Sequence, residues 1–138
     1  MAVKGYAGGT GGVTQLVAGT GIGLSPSGGT GTVTVSATGG SAQTITSGIT
    51  AAGTNLATAT QLTSQQNIVN TVAAGTGVAL PLTPATGFVA TVKNYGANTL
   101  LVYPNTALVK IGNSAAGAGI SLGALASVTL AFDGTQWW

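Results

Sequence analysis

Short runs in which apolar and polar residues alternate fill the second half of the chain. In the clearest run, Phe88, Ala90 and Val92 fall on one face, while Thr91 and Lys93 fall on the other. This period of two is typical of a β-strand with one buried face. Similar runs predict further short strands at 68–73, 78–80, 99–103, 108–111, 120–122 and 128–132.

Turn-forming residues separate these runs and predict how the strands connect. Residues 94–98 have the composition of a hairpin loop, and Asp133 with Gly134 predicts a two-residue turn from which residues 135–138 return. Strands and turns at this spacing favour an all-β fold. We therefore predict a compact β domain over residues 67–138, built as a small antiparallel β-sandwich or barrel.

The beginning of the chain is rich in glycine, since 13 of the 24 glycines lie in residues 1–40. Such a segment has little side-chain area to bury and much backbone entropy to lose, so it does not fold alone. Two alternating runs within it, 13–17 and 32–36, predict short strands joined by tight turns. The sequence thus predicts a glycine-rich extended arm over 1–40, followed by a polar linker over 41–66.

Charged residues make up only 3% of the sequence, whereas soluble globular proteins carry about 25%. The four charged residues are Lys4, Lys93, Lys110 and Asp133, and Arg, Glu, His and Cys are absent. Three scattered lysines offer no basic cluster to a nucleic acid, and the lack of cysteine excludes disulfides and thiolate metal sites. No apolar run suits a membrane helix or a secretory signal, so the mature chain is expected to begin near Met1.

The residue types that catalysis needs are scarce. Because Asp133 is the only acidic side chain, a two-carboxylate mechanism within one chain is excluded and a calcium cage is weak. A Ser–Lys dyad needs a desolvated lysine, whereas Lys93 falls on the polar face of its strand. The glycines within 19–23 invite comparison with a nucleotide loop, but no Lys-Ser/Thr pair or acidic ribose ligand follows them, which favours tight turns. We expect a non-enzymatic protein with no catalytic, cofactor or metal site.

Aromatic residues offer the one candidate binding chemistry. Trp137, Trp138, Tyr95 and Tyr103 could form a platform on which sugar rings stack. The alternative is that the two tryptophans cap a core or a subunit interface, and we favour it.

The shortage of charge also predicts assembly. Single copies with so few fixed charges have little electrostatic repulsion to keep them apart. Edge strands likewise lack the Lys and Glu residues that ordinarily prevent edge pairing. A closed homo-oligomer would cover apolar strand faces and sheet edges without needing charge. We therefore expect a homo-oligomer.

Several segments resemble the structural proteins of tailed bacteriophages. The Gly/Thr-rich segments GVTQLVAGTGIGLSP at 12–26 and GGTGTVTVS at 28–36 resemble strand-and-turn segments of their virion proteins. Four more segments are similar to small phage structural proteins, namely ATATQL at 57–62, VAAGTGVALP at 72–81, VKNYGANTLLVYP at 92–104 and GTQW at 134–137. The resemblance implies a virion part that is commonly trimeric.

From the residues and the resemblance together, we expect a capsid decoration or head-fibre subunit. It would be assembled in the host cytoplasm, form a homotrimer, and contact the major capsid protein or another virion protein. One alternative is a tail fibre or spike component whose aromatic residues bind host surface glycans. An ice-binding protein is a second, based on Thr32 and Thr34, and an adhesin or fibril subunit is a third.

Overall fold

The computed structural model describes residues 22–25, 34–37 and 43–138, and in these residues the regular structure is entirely β. The chain divides into two units, Met1–Ala42 and Gln43–Trp138. In the first unit, strand β1 (Ile22–Ser25) pairs with strand β2 (Thr34–Ala37) in antiparallel fashion. Strand β2 overlaps the strand predicted at 32–36, whereas the strand predicted at 13–17 lies outside the described residues.

The second unit is built from two four-stranded sheets. One sheet has the order β10-β7-β5-β3 and the other has the order β4-β6-β8-β9. The strands are β3 (Ile45–Thr50), β4 (Thr60–Gln61), β5 (Gln66–Thr71), β6 (Gly77–Ala79), β7 (Val89–Asn94), β8 (Leu100–Tyr103), β9 (Ile120–Leu122) and β10 (Ser127–Ala131).

From β3 to β8 the chain alternates between the two sheets at every step. Each pair of successive strands therefore adds one strand to each sheet, so that neighbours within a sheet are parallel, as in a β-solenoid. Strands β9 and β10 then run back, antiparallel, along β8 and β7. The all-β prediction is confirmed, but these sheets are mixed rather than antiparallel.

The connection after β7 illustrates the difference. Residues 94–98 were expected to close a hairpin between two neighbouring strands. They instead carry the chain to β8 in the other sheet, while β7 pairs with β5 and β10. The segment interpreted as a polar linker, 41–66, also contributes β3 and β4 to the two sheets.

The predicted face of β7 is confirmed. Ala90 and Val92 are fully buried, while Thr91 and Lys93 lie half-buried on the opposite face. Residues of both sheets contribute to a single hydrophobic cluster, which also takes in Leu62, Ile111 and Trp137. The core thus lies between the two sheets. The period of two along each strand places the apolar side chains on the face that points into this core.

The last hairpin forms, with a longer turn than predicted. Phe132 pairs with Trp137, so residues 133–136 make the turn, and the Asp133 N–H donates to the carbonyl of Gln136 at 3.1 Å. The strand predicted at 108–111 is reduced to one bridge between Ile111 and Trp137. The region between β8 and β9 is otherwise held by short turns.

Candidate functional surfaces

Trp137 is a core residue. Its side chain has no exposed surface, and its Nε1 donates a hydrogen bond to Oδ1 of the buried Asn105 at 3.1 Å. The rings of Phe132 and Phe88 pack against the indole, with centroids at 5.1 Å and 6.3 Å. Such aromatic pairs prefer tilted or edge-to-face geometry, which both contacts adopt. The favoured interpretation, that a terminal tryptophan caps the core, is correct for Trp137.

Asn105 links this core to the neighbouring loop. Its Nδ2 donates to the carbonyl of Leu82 at 3.3 Å, while its Oδ1 receives the Trp137 proton. Both polar ends of a buried amide are therefore satisfied, which a buried amide requires. The sequence gives no signal for this role, because nothing local distinguishes Asn105 from the other asparagines.

Trp138 lies outside the core and is held by Asp133. Its side chain is 57% exposed, and its Nε1 donates to Oδ2 of Asp133 at 2.7 Å. The other carboxylate oxygen accepts the N–H groups of Thr135 and Gln136 and the Thr135 hydroxyl. The Gln136 N–H, the Trp138 indole and Thr135 together hold the pKa of this carboxyl well below its ordinary value of 3.8.

The four-ring aromatic platform that the sequence allowed is not assembled. Trp137 is buried, and so is Tyr103, whose hydroxyl donates to the carbonyl of Thr54 at 2.9 Å. Tyr95 and Trp138 remain exposed. Of the four rings, Tyr95 and Trp138 are therefore the two that are accessible for stacking on a sugar.

Lys93 interacts with two exposed residues, Leu125 and Tyr95, at one end of β7. Its Nζ donates to the carbonyl of Leu125 and lies 5.8 Å from the centre of the Tyr95 ring. Tyr95 is 58% exposed and Leu125 is 64% exposed. The lysine side chain thus links the β9–β10 turn to the start of the loop after β7.

A shallow cleft lies beside the short strand β4. Its volume is about 260 Å³, and its walls combine apolar side chains with amide and hydroxyl groups. Gln61 is fixed there because its Nε2 donates to the carbonyl of Leu80 at 2.6 Å. The lining residues are Gln61, Leu62, Thr63, Pro81, Leu82, Thr83, Pro84 and Phe88.

Strand β3 forms an open edge of its sheet among the described residues. It pairs with β5 on one side, and no described strand pairs with its other side. The carbonyl of Thr44 accepts the Gln66 N–H at 2.9 Å, so the main-chain groups of the next residue, Ile45, point away from β5. The Ile45 side chain is 68% exposed. The strand bends at Gly48, whose φ of 74° requires the conformational freedom of glycine.

Comparison with known protein families, with curated proteins and with solved structures finds no match to this chain. Within the described ranges, no helix has the length and apolar character that crossing a membrane requires. Across the same residues, there is no cluster of three or more His, Cys, Asp or Glu side chains that could hold a metal ion.

Proposed function

We propose that this chain is a non-enzymatic structural protein of a tailed-phage virion. It would act as a capsid decoration or head-fibre subunit, assemble as a homo-oligomer with a trimer favoured, and dock on the major capsid protein or another virion protein. In this proposal the glycine-rich arm over residues 1–40 docks or intertwines, while the two-sheet unit is the rigid part of the particle surface.

The observation that carries this proposal is the open edge at β3. An exposed edge strand presents unpaired main-chain donors and acceptors, and monomeric proteins usually protect it with charged side chains. The sequence has no charged residue between Lys4 and Lys93, so β3 itself carries no such protection. The exposed Ile45 adds apolar surface at the same edge. A surface of this kind suits a chain whose edges are covered by neighbouring copies or by a shell.

The experiment that tests this function has two stages. Native mass spectrometry of the full chain at micromolar concentration should give a homo-oligomer, with a trimer as the expected species. Labelled chain added to virions assembled without it should then decorate the particles, as seen by electron microscopy. A stable monomer that leaves the particles bare would refute the proposal.

A tail fibre or spike component that binds host glycans is the second candidate function. One observation favours it, namely that the exposed Trp138 indole is fixed by its hydrogen bond to Asp133. A fixed aromatic ring binds a sugar face at low entropic cost. A glycan array probed with the wild-type chain and with Trp138→Ala would test it, because the loss of specific signals in the variant is the expected result. Trp137→Ala is unsuitable for this purpose because Trp137 belongs to the core.

The other two alternatives gain little from the fold. Ice binding needs rows of threonine on a flat face, and the hydroxyl pair of Thr91 and Thr129, 3.0 Å apart, lies in a row whose next member is Gln66. A fibril subunit would form filaments from the pure protein, and electron microscopy of the purified chain is the direct test.

A further inference from the structure

The two sheets of residues 43–138 are open at the same end. Strand β3 ends one sheet and strand β4 ends the other, and together they form the first coil of the stack. No described strand pairs with the outer edge of either one. Ile49, the β3 residue that packs against the core, is only partly buried. One further coil would therefore continue both sheets and cover Ile49.

Residues 13–24 of the glycine-rich arm match the sequence of a coil in this stack. The segment VTQLVAGTGIGL at 13–24 aligns without gaps with VNTVAAGTGVAL at 69–80, which contains the end of β5 and all of β6. The two segments are identical at half of their positions. The identical residues of the first segment are Val13, Ala18, Gly19, Thr20, Gly21 and Leu24.

The match includes the positions that face the core. Four residues within 69–80 belong to the hydrophobic cluster, and each is at most 6% exposed. The aligned positions in 13–24 are also apolar. In order, the core residues are Val69, Val72, Val78 and Leu80, and their counterparts are Val13, Leu16, Ile22 and Leu24. Residues 13–24 thus carry the side chains that a further coil needs between the two sheets.

The turn within the coil is matched as well. Gly75 has a φ of 78°, which favours glycine, and Gly19 occupies the same position. The Thr76 hydroxyl donates to the carbonyl of Ala73 at 2.8 Å across this turn, and Thr20 is its counterpart. A glycine-rich composition alone would not reproduce both the turn and the core positions.

We propose that residues 13–24 of a neighbouring copy add this coil to the open end. This inference rests on the homo-oligomer of the proposed function and names the surfaces that meet in it. Residues 13–17 pair with β3 and β1 pairs with β4, both in parallel. One side of β1 is open to this contact, since β2 is the only described strand that pairs with β1. The sequence has no charged residue between Lys4 and Lys93, so no like charges oppose the contact.

The route of the chain favours another copy as the source of this segment. Within the stack, residues 62–65 and 80–88 lead directly from one coil to the next. Residues 26–44 separate β1 from β3, and within them β2 runs back along β1. A segment followed by a returning strand does not lead directly into the first coil of its own chain, whereas a neighbouring copy can place it there without that constraint.

Cysteine crosslinking tests the pairing, because the sequence contains no cysteine of its own. In the stack Gln61 pairs with Ala79, and Gly23 is the counterpart of Ala79, so the added coil places Gly23 beside Gln61. A mixture of Gly23→Cys and Gln61→Cys chains should give a covalent dimer with a short bismaleimide, above the level that either variant gives alone. A mixture of Gly23→Cys and Leu108→Cys is the control and should not, since Leu108 is exposed and lies outside the strands.

A charge inside the added coil tests the same contact without a crosslinker. Leu16→Asp places a carboxylate at the counterpart of the buried Val72, so self-association should weaken at least about tenfold in sedimentation velocity. Thr14→Asp is the matched control, because it adds the same charge at the counterpart of the exposed Asn70. Its association should stay close to that of the wild type.

The outcomes separate this inference from the proposed function. Crosslinking in the mixed chains, together with weakened association of Leu16→Asp, supports the exchanged coil. An oligomer that neither crosslinks nor responds to Leu16→Asp overturns the inference and leaves the homo-oligomer intact. Crosslinking found only within monomers of a chain that carries both Gly23→Cys and Gln61→Cys shows that the segment covers its own chain, which also overturns the inference. A wild-type chain that stays monomeric overturns both.

Discussion

The sheet β10-β7-β5-β3 ends differently on its two sides. At the β10 side, Ala131 exchanges two main-chain hydrogen bonds with Trp138, both at 2.9 Å, and Phe132 pairs with the buried Trp137. At the β3 side, no described strand covers the edge, and Ile45 is 68% exposed. The chain thus covers the β10 side at Ala131 and Phe132 with its own C-terminal residues, which makes this the closed side, whereas no described strand pairs with the free side of β3, the open side.

Buried polar groups at the two sides differ in the same way. Asn105, beside Trp137, has both ends of its amide hydrogen-bonded. Asn67, which aligns with Thr46 of β3, is 2% exposed and its Oδ1 has no partner among the described residues. Because a buried unpaired acceptor costs free energy, Asn67, in the strand next to β3, is less completely satisfied than Asn105.

The largest effect on stability is expected from removing the buried tryptophan of the closed side. Trp137→Ala removes an indole with no exposed surface and its contacts with two phenylalanines, so we expect a loss of about 4 kcal/mol in the free energy of unfolding. Trp138→Ala is the matched control and should cost less than about 1 kcal/mol, because its ring is largely exposed. Guanidinium denaturation measures both. Equal losses would contradict the division between the two tryptophans.

A smaller loss is expected when only the polar contact on that side is removed. Asn105→Ala leaves the Trp137 Nε1 buried without an acceptor, which should lower the free energy of unfolding by about 2 kcal/mol. Asn98→Ala is the control, since Asn98 is exposed and donates one hydrogen bond, to the Val72 carbonyl at 2.9 Å. It should cost about 0.5 kcal/mol. If Asn105→Ala is as mild as its control, the amide does not hold the tryptophan.

The positions of the strands from β5 to β10 were predictable from the sequence, but the pairing was not. Alternation in β7 predicts its buried face, because a half-buried strand needs a period of two. The pairing depends on which sheet each strand joins. A short polar connection can lead to the opposite sheet as readily as to the neighbouring strand of the same sheet. A repeat would have indicated stacked coils, but Ile45 aligns with Gln66 and Gln66 with Thr91, so the spacing changes from 21 to 25 residues.

Of the candidate surfaces, the sequence identifies residue types and not their surroundings. The sequence does not distinguish the surroundings of Trp137 from those of Trp138, or those of Lys93 from those of Lys110, since burial and partners depend on distant residues. The positive φ of Leu125, 60°, is not predictable either, because a leucine after Gly-Ala has no local feature that indicates it. The β3 edge was missed because its residues read as a polar linker.

Acid should lower the stability of the chain through Asp133, which lies on the closed side. Asp133 has a lower pKa in the folded chain than in the unfolded chain, so its contribution to stability is complete above its ordinary pKa of 3.8 and is lost as the pH falls further. It is the only acidic side chain in the sequence, so Asp133→Asn removes all side-chain carboxylate titration. The Tm of the wild type should fall between pH 5 and pH 2, as measured by circular dichroism. Asp133→Asn should be less stable at neutral pH and show a flatter profile, and a wild-type profile as flat as that of the variant would be evidence against the carboxylate's role.

The smallest effect on stability, and the sharpest test of the open side, is expected from Ile45→Lys. Ile45 is largely exposed, so the free energy of unfolding should change by less than about 0.5 kcal/mol. Association should nevertheless weaken at least tenfold, because a lysine on an edge strand opposes pairing with another strand. Leu108→Lys adds the same charge at a residue that is 91% exposed and lies outside the strands, so its association should match the wild type. Sedimentation velocity over a range of concentrations separates the cases: equal weakening in both variants would make net charge the cause, and no weakening in either would remove β3 from the interface.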